Sequence, residues 1–184
     1  MTKRILITGM LVSLMLSGFL GYAEAAPPAS YPAPPQTKKL LFYLQRSSNS
    51  NTIVYEANLA ANGQLNSKQP VNVYWLRYNT NGERRGLNFA ERNFAYGLNF
   101  EPAGNGAYLI TLMAYSGRDI KIYVNSAGNA EAETLINNKV ARLKRIYIDV
   151  SGSGFFSTVN YIELTGIDLL TNKEMTEHFD PDDE

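Results

Sequence analysis

The feature that most constrains the fold of this chain is the alternation of short apolar runs with breaks rich in glycine and asparagine. Runs rich in Val, Ile, Leu, Tyr and Phe are typical of β-strands, and Asn and Gly tolerate the positive φ angles of tight hairpin turns. The pattern predicts eight strands, over residues 40–46, 52–59, 71–78, 107–115, 119–125, 130–136, 140–150 and 158–166.

The predicted strands fall into two kinds according to which positions are apolar. Residues 52–59 and 119–125 carry apolar side chains at every second position, the two-residue period of a sheet with one wet face. Residues 40–44 and 73–78 are apolar on both sides, apart from Arg77. We therefore expect these two strands to be covered on both faces and to form the central core.

This succession of hairpin-like strands predicts an all-β domain with one short helix. The simplest architecture is an antiparallel meander that curls into a barrel or splits into a sandwich. We favour the barrel, because closure removes the exposed strand edges that promote aggregation. A single β-rich domain is expected over residues 38–175.

One segment departs from the strand pattern. Leu87, Ala90 and Phe94 are spaced as on one face of a helix, and Gly97 is placed to end it. We expect this helix to cover the sheet or a barrel mouth. Further along, residues 169–179 fit either a last strand or a short helical tail.

The first 25 residues predict that the protein is exported. Lys3 and Arg4 precede an apolar run, and Ala23-Glu24-Ala25 forms a small-x-small cleavage site, as in a secretory signal peptide. The alternative is a retained membrane anchor, but polar and glycine residues interrupt the run, and a spanning helix needs about 20 predominantly apolar residues. The protein is therefore expected in the periplasm or outside the cell, with no transmembrane segment after cleavage.

Both ends of the predicted domain are expected to lie outside the core. Residues 26–37 contain five of the eight prolines of the chain. Because proline fixes φ and lacks an N–H donor, this segment predicts a flexible spacer or arm. At the other end, residues 176–184 are acidic and predict a mobile tail.

The composition argues against several kinds of chemistry. The chain has no cysteine, and His178 is its single histidine, which disfavours cysteine- or serine-based triads and zinc sites. Without Lys3, Arg4 and Glu24, 15 basic and 16 acidic side chains remain. A net charge this close to zero disfavours nucleic-acid binding. No cofactor and no metal are implied.

The candidate ligand-binding residues are polar and aromatic side chains of two strands and the helix: Gln45, Arg46, Trp75, Arg77, Tyr78, Arg92 and Tyr96. If these elements are neighbours, two arginines flanked by rings suit a carboxylate, a phosphate or a sugar, since Arg makes bidentate contacts and rings stack on apolar faces. The plainer interpretation, which the sequence favours, is that the arginines pair with acids such as Glu56 or Glu91 while the aromatic residues fill the core.

A pair of carboxylates offers a different chemistry. Asp149 and Glu163 lie on adjacent predicted strands, and glycan-cleaving enzymes use two opposed acids. Nothing in the sequence marks either residue as a catalytic acid, so a structural role is favoured. The acidic residues 180–184 lack the spacing and the glycine of a calcium loop, and residues 151–154 indicate a hairpin loop.

Four segments carry a resemblance to a known family: residues 41–47 (LFYLQRS), 49–52 (NSNT), 73–78 (VYWLRY) and 94–97 (FAYG). In this order they resemble an exported bacterial family, Domain of Unknown Function 4833. The resemblance extends from about residue 40 to about residue 170. It implies no reaction, no ligand and no catalytic residues.

Three functions remain open from the sequence. The first is a non-enzymatic exported module of the cell envelope that binds a small or glycan-type ligand, or a partner protein, through the residues around Trp75 and Arg77. The second is a carboxylate-dependent hydrolase acting on envelope glycan. The third is a structural or assembly protein whose proline-rich arm reaches a neighbour.

Overall fold

A computed structural model describes residues 32–152 and 158–180 of the chain. The described residues form eleven strands, a 3-10 turn at Tyr78–Thr80 and one short helix, α1, at Phe89–Phe94. The strands are β1 (Leu40–Arg46), β2 (Asn49–Ala57), β3 (Val71–Arg77), β4 (Glu83–Gly86), β5 (Leu98–Gly104), β6 (Ala107–Leu112), β7 (Tyr115–Val124), β8 (Ala130–Ile136), β9 (Lys139–Ser151), β10 (Thr158–Asp168) and β11 (Glu174–Phe179). The predicted all-β class is confirmed.

All eleven strands belong to one curled sheet that forms a half-barrel. Two antiparallel runs, β1–β4 and β5–β8, meet on the same edge of β9, which pairs with both β1 and β8. The other edge of β9 pairs with β10 along most of its length, and β11 pairs with β10. Because β1 and β9 run parallel, the sheet is mixed, and it departs from the predicted antiparallel meander at this one pair.

The core lies on one side of the curled sheet and unites both runs of strands. Phe42 and Tyr55 stack with ring centroids 4.4 Å apart. They belong to the same buried cluster as Ile110 and Ile122 from the second run and Leu143 from β9. Since apolar burial is the dominant favourable term in folding, this shared cluster is what holds the two runs together.

The edge strands β4 and β5, at the two ends of the strand order, are protected from pairing with other chains although the barrel is not closed. β4 is fully exposed, only four residues long, and carries Glu83, Arg84 and Arg85. At the other end β5 carries Pro102, which cannot donate a ladder hydrogen bond. Short, charged or proline-containing edges resist pairing with other chains, so the barrel does not need to close.

The backbone conformation explains why asparagine and glycine occupy two of the turns. Asn137 and Asn138 both have positive φ, 49° and 59°, between the paired residues Ile136 and Lys139. Positive φ at both central positions is the requirement of a tight two-residue hairpin. After α1, a Cβ on Gly97 would lie 1.7 Å from the carbonyl oxygen of Arg92, so only glycine fits there.

The predicted helix exists, but its packing differs from the prediction. Residues 89–94 are helical, whereas Leu87, which is buried, precedes the helix. Phe89 and Phe94 are 78% and 75% exposed, and no residue of α1 is buried. The helix therefore projects from the sheet instead of covering it, because its flanks rather than its own face are anchored.

The two predicted termini also differ from expectation where the structure describes them. Residues 176–179, predicted as the start of a mobile tail, belong to β11, whose pairing with β10 runs from Glu174 to Phe179. Of the predicted spacer, residues 32–37 contain no helix or strand, yet Pro34 is buried. The predicted signal peptide and residues 181–184 lie outside the described residues.

Candidate functional site

A cleft of about 280 Å³ opens between the first run of strands and α1. We call it the Trp75 cleft; its walls are Asn49, Asn51, Trp75, Arg77, Arg85 and Glu91. The strand register explains this grouping, because Trp75 pairs with Arg85 and Arg77 pairs with Glu83 across the β3–β4 hairpin. Cross-strand partners lie on the same face of a sheet, so the two arginines point to the same side as Trp75.

Both arginines of the Trp75 cleft face carboxylates. Arg77 Nη1 lies 3.6 Å from Glu83 Oε2, and Arg85 Nη2 lies 2.5 Å from Glu91 Oε1. The Arg77 and Arg85 side chains are 34% and 42% exposed. The Arg77–Glu83 pair is long and its carboxylate is 58% exposed; because exposed ion pairs contribute only about 0–1 kcal/mol, an incoming carboxylate can compete for Arg77.

Behind the arginines, the wall of the cleft is a rigid aromatic cluster. Trp75 is 6% exposed and meets the Tyr96 ring edge-on, with centroids 5.1 Å apart. The Tyr96 hydroxyl accepts a hydrogen bond of 2.7 Å from Arg46 Nη1, and the Tyr55 hydroxyl donates to the Tyr96 carbonyl oxygen at 3.0 Å. Complete burial raises the pKa of Tyr55, so its hydroxyl remains a donor.

Trp75 itself offers no stacking surface to the cleft. Its ring is buried against Tyr96, so it is not free to stack on a sugar. Its indole Nε1 is buried and has no hydrogen-bond partner among the described residues. Buried polar groups are normally paired, so Trp75, a residue that lines the cleft, carries an unsatisfied donor.

The structure brings four of the seven candidate residues together and separates the other three. Trp75 and Arg77 line the cleft, and Tyr96 with Arg46 supports its wall. Gln45 and Tyr78 instead bond to the proline-rich segment on the opposite face of the sheet. Arg92 lines a different cleft, beside Leu98 and Phe100.

The plainer interpretation holds for several of these side chains. Trp75 and Tyr96 belong to the core cluster, and Arg77 lies beside an acid, Glu83. Glu91 and Glu56, the acids named as partners, face Arg85 and Arg84 instead. Among the described residues, the Arg92 side chain has no hydrogen bond or ion pair.

Sequence reasoning missed four residues of the Trp75 cleft: Asn49, Asn51, Arg85 and Glu91. Asn49 and Asn51 precede the predicted start of the second strand, and the charged β4 does not resemble a strand. For Arg85, the sequence signal was the two-residue period of the strands that form the β3–β4 hairpin. Once Glu83 pairs with Arg77, the two-residue period places Arg85 on the same face as Trp75.

The proposed catalytic carboxylates lie on one face of the β9–β10 pair. Asp149 is opposite Tyr161 and Glu163 is opposite Tyr147. Glu163 forms a close ion pair with Arg145, and Asp149 accepts a hydrogen bond of 2.7 Å from Asn160 Nδ2. Each carboxylate is therefore engaged by a neighbouring side chain.

A larger polar cleft of about 540 Å³ runs along the seam of β1, β8 and β9. Tyr43, Arg145, Glu163 and Glu174 are among its walls, and Asp149 is not. Opposed acid catalysis requires both carboxylates to flank one bound substrate. Of the two proposed acids only Glu163 lines this cleft, so the arrangement does not favour Asp149 and Glu163 as a catalytic pair.

Metal-binding side chains do not converge in the part of the chain that the structure describes. No group of three or more His, Asp or Glu residues there could hold a metal ion. His178 lies on β11 and stacks on the Tyr161 ring at a centroid distance of 4.0 Å. Within residues 32–152 and 158–180, no helix has the length and apolar character needed to cross a membrane.

Comparison with known families tests the family resemblance that four segments of the sequence carry. The model of the domain of unknown function DUF4833 matches residues 42–178. The chain belongs to the DUF4833 family. The match runs from β1 to β11, so the whole curled sheet is the DUF4833 domain, and the Trp75 cleft lies within it.

No curated protein and no solved structure matches this DUF4833 chain. The family description carries no activity or ligand. What the domain does must therefore be argued from the geometry of its clefts.

Proposed function

We propose that this DUF4833 domain is a non-enzymatic binding module of the bacterial cell envelope that takes a small acidic sugar unit in the Trp75 cleft. The single observation that carries the proposal is the composition of that cleft. Two arginines, two asparagines and one glutamate line the cleft together with Trp75, whose buried indole N–H has no acceptor among the described residues.

The chemistry of these side chains matches a ligand with a carboxylate and several hydroxyls. Arginine binds carboxylates through two parallel N–H donors, and such charge-assisted bonds are stronger than neutral ones. Asparagine both donates and accepts, as a sugar hydroxyl does. The volume of about 280 Å³ is at the small end of known ligand sites, about 300–1,000 Å³, which suits a single sugar unit.

Export to the envelope is part of the same proposal and is supported by the sequence. Lys3 and Arg4, the apolar run and Ala23-Glu24-Ala25 have the arrangement of a secretory signal. Carboxylate-bearing sugars are the class of ligand that we assign to a module delivered to that compartment.

Isothermal titration calorimetry with D-glucuronate as the probe tests the proposal, with D-glucose as the uncharged comparison. We expect saturable binding of glucuronate and none of glucose. The Arg77→Ala/Arg85→Ala variant should bind glucuronate at least about tenfold more weakly, since each lost charge-assisted bond contributes about 1.5–3 kcal/mol.

Arg92→Ala is the matched control, because Arg92 is an exposed arginine of the same region that lines a different cleft. It should bind glucuronate as the unmodified protein does. Equal affinity of the double variant and the unmodified protein would remove the site assignment. Release of reducing sugar from an acidic glycan would contradict the non-enzymatic role.

A further inference from the structure

The outer face of β1–β3, opposite the Trp75 cleft, is in contact with the proline-rich segment that precedes β1. Gln45 Nε2 donates to the carbonyl oxygen of Pro32 at 3.2 Å, and the Tyr78 hydroxyl donates to that of Ala33 at 3.1 Å. Pro34 is buried. We call residues 32–36 the arm.

The arm does not bind as an extra strand of the sheet. Residues 32–36 have no strand pairing, and no backbone–backbone hydrogen bond joins them to the described part of the sheet. Proline confines itself and the residue before it to extended conformations, and three of these five residues are proline. Side-chain donors of the sheet therefore hold an extended segment through its carbonyl oxygens.

The face beneath the arm has an unusual composition for the outside of a sheet. Tyr43 pairs with Val54 and Val54 pairs with Tyr74, which forms one row across β1, β2 and β3. Phe42 and Tyr55, on the opposite face, belong to the core cluster, whereas Val54 does not. Even so, Val54 is only 2% exposed.

Polar residues on this face are equally well covered. Gln45 is 2% exposed and Thr52 is fully buried, and Gln45 Nε2 lies 3.2 Å from Thr52 Oγ1. Burial raises the pKa of Tyr78, as does the nearby Tyr43. The Tyr78 hydroxyl, which donates to Ala33, therefore remains a protonated donor at neutral pH.

These features are the chemistry by which proteins recognise proline-rich peptides. An extended proline-rich segment has no internal hydrogen bonds, so its carbonyl oxygens are free to accept. Grooves that bind such segments are lined by aromatic side chains and exploit the low entropy of the preformed ligand. Tyr43 and Tyr74 are aromatic side chains on this face, and Gln45 with Tyr78 supplies the donors.

We propose that the outer face of β1–β3 is a binding groove for extended proline-rich peptides and that the chain's own arm keeps it occupied in cis. The inference is independent of the Trp75 cleft, which lies on the other face. The arm connects directly to β1, and a tether this short gives a millimolar effective concentration. A proline-rich segment of another chain therefore binds only when the arm is displaced.

The test uses the full chain and a fluorescein-labelled synthetic peptide with the sequence of residues 26–36, followed by fluorescence anisotropy. In one variant, Pro32→Gly/Pro34→Gly, the arm loses its extended preference and its buried ring. This loosened-arm chain should bind the peptide at least about tenfold more tightly than the unmodified chain. Equal affinity of the two chains would overturn the proposal.

Two single-hydroxyl changes in the loosened-arm chain test the groove itself. Tyr78→Phe removes the donor to the arm and should weaken peptide binding about fivefold. Tyr108→Phe is the matched control: Tyr108 lies on β6, in the other run of strands, and its hydroxyl makes no bond to the described part of the arm. Equal affinities for the two variants would overturn the assignment of the groove.

Sedimentation velocity distinguishes cis occupation from exchange between copies. The unmodified chain should be monomeric at micromolar concentration, as should the loosened-arm chain. A dimer that the Pro32→Gly/Pro34→Gly change converts to a monomer would contradict occupation in cis.

Discussion

Glu177 connects the last strand to two distant parts of the sheet. Its carboxylate accepts from Arg118 Nη1 at 2.6 Å and from Arg118 Nη2 at 3.3 Å. It also accepts from the backbone N–H of Asn137 at 2.9 Å, in the turn between β8 and β9. A bidentate pair of this kind is geometrically specific, so a single side chain fixes β11 beside β7 and β8.

The environment of Glu177 makes its contribution to stability depend on pH. Desolvation alone would raise the pKa of Glu177, but the hydrogen bonds from Arg118 and Asn137 and the charge of Arg118 together lower it. A carboxyl whose pKa is lower in the folded state stabilises the protein above its usual pKa of about 4.5. That stabilisation disappears as the pH falls through the lowered pKa.

We predict that Glu177→Gln lowers the free energy of unfolding at pH 7 by about 1–3 kcal/mol, the cost of leaving a charged partner unsatisfied. The difference from the unmodified protein should shrink below pH 4.5. Urea unfolding at several pH values measures this. Glu174→Gln is the matched control, because Glu174 lies on the same strand, is 65% exposed, and is 4.0 Å from Lys144; its effect should stay within about 0.5 kcal/mol.

For single residues of the Trp75 cleft, the two-residue period of a strand predicts which face of the sheet a side chain occupies. Trp75 and Arg77 are two positions apart and share a face. Tyr78 follows directly and serves the opposite face, where it bonds to Ala33. Grouping Tyr78 with Trp75 went against the two-residue period, whereas the separate position of Arg92 depends on the orientation of α1, which local sequence does not determine.

Among the elements, α1 is held by its ends rather than by packing. The Asn88 side chain accepts from the backbone N–H of Glu91 at 2.9 Å, and the Glu91 carboxylate accepts from the backbone N–H of Asn88 at 2.8 Å. This reciprocal capping box satisfies two donors that a helix start leaves unpaired. Glu91 also reaches Arg85, so the cap and the Trp75 cleft share one carboxylate.

We predict that Asn88→Ala destabilises the start of α1 by about 1 kcal/mol, the usual cost of losing such a cap. Amide hydrogen exchange at Glu91 should accelerate about fivefold while exchange in β2 stays unchanged. Asn88→Asp keeps an acceptor at the cap and should exchange at the original rate. Unchanged exchange in Asn88→Ala would mean that the capping box does not hold the helix.

The strands were predictable where a run of apolar residues lies between clear turn residues, and not elsewhere. β1 and β8 have the predicted bounds, because each is an apolar run between clear breaks. β4 and β5 were not predicted as strands, and for β11 a strand was one of two alternatives, since polar or exposed side chains dominate all three. The parallel pairing of β1 with β9 joins segments about a hundred residues apart. The two-residue period predicts which face of the sheet a side chain occupies, but it does not predict which strands pair.

At the scale of the whole molecule, the curled sheet separates the two proposed recognition surfaces. The Trp75 cleft lies on the side of the core cluster, where α1 and the β3–β4 hairpin meet. The groove that holds the arm lies on the opposite face of the same strands. Because β1, β2 and β3 form the wall between them, each site can be altered by substitutions that leave the other intact.

The indole of Trp75 provides a spectroscopic signal that reports whether the Trp75 cleft binds an acidic sugar. It is the only tryptophan of the chain, so a ¹H–¹⁵N spectrum contains a single indole N–H resonance. We predict that titration with D-glucuronate shifts this resonance to saturation, that D-glucose leaves it in place, and that Arg77→Ala/Arg85→Ala abolishes the shift. An indole resonance that stays in place at saturating glucuronate would contradict the account.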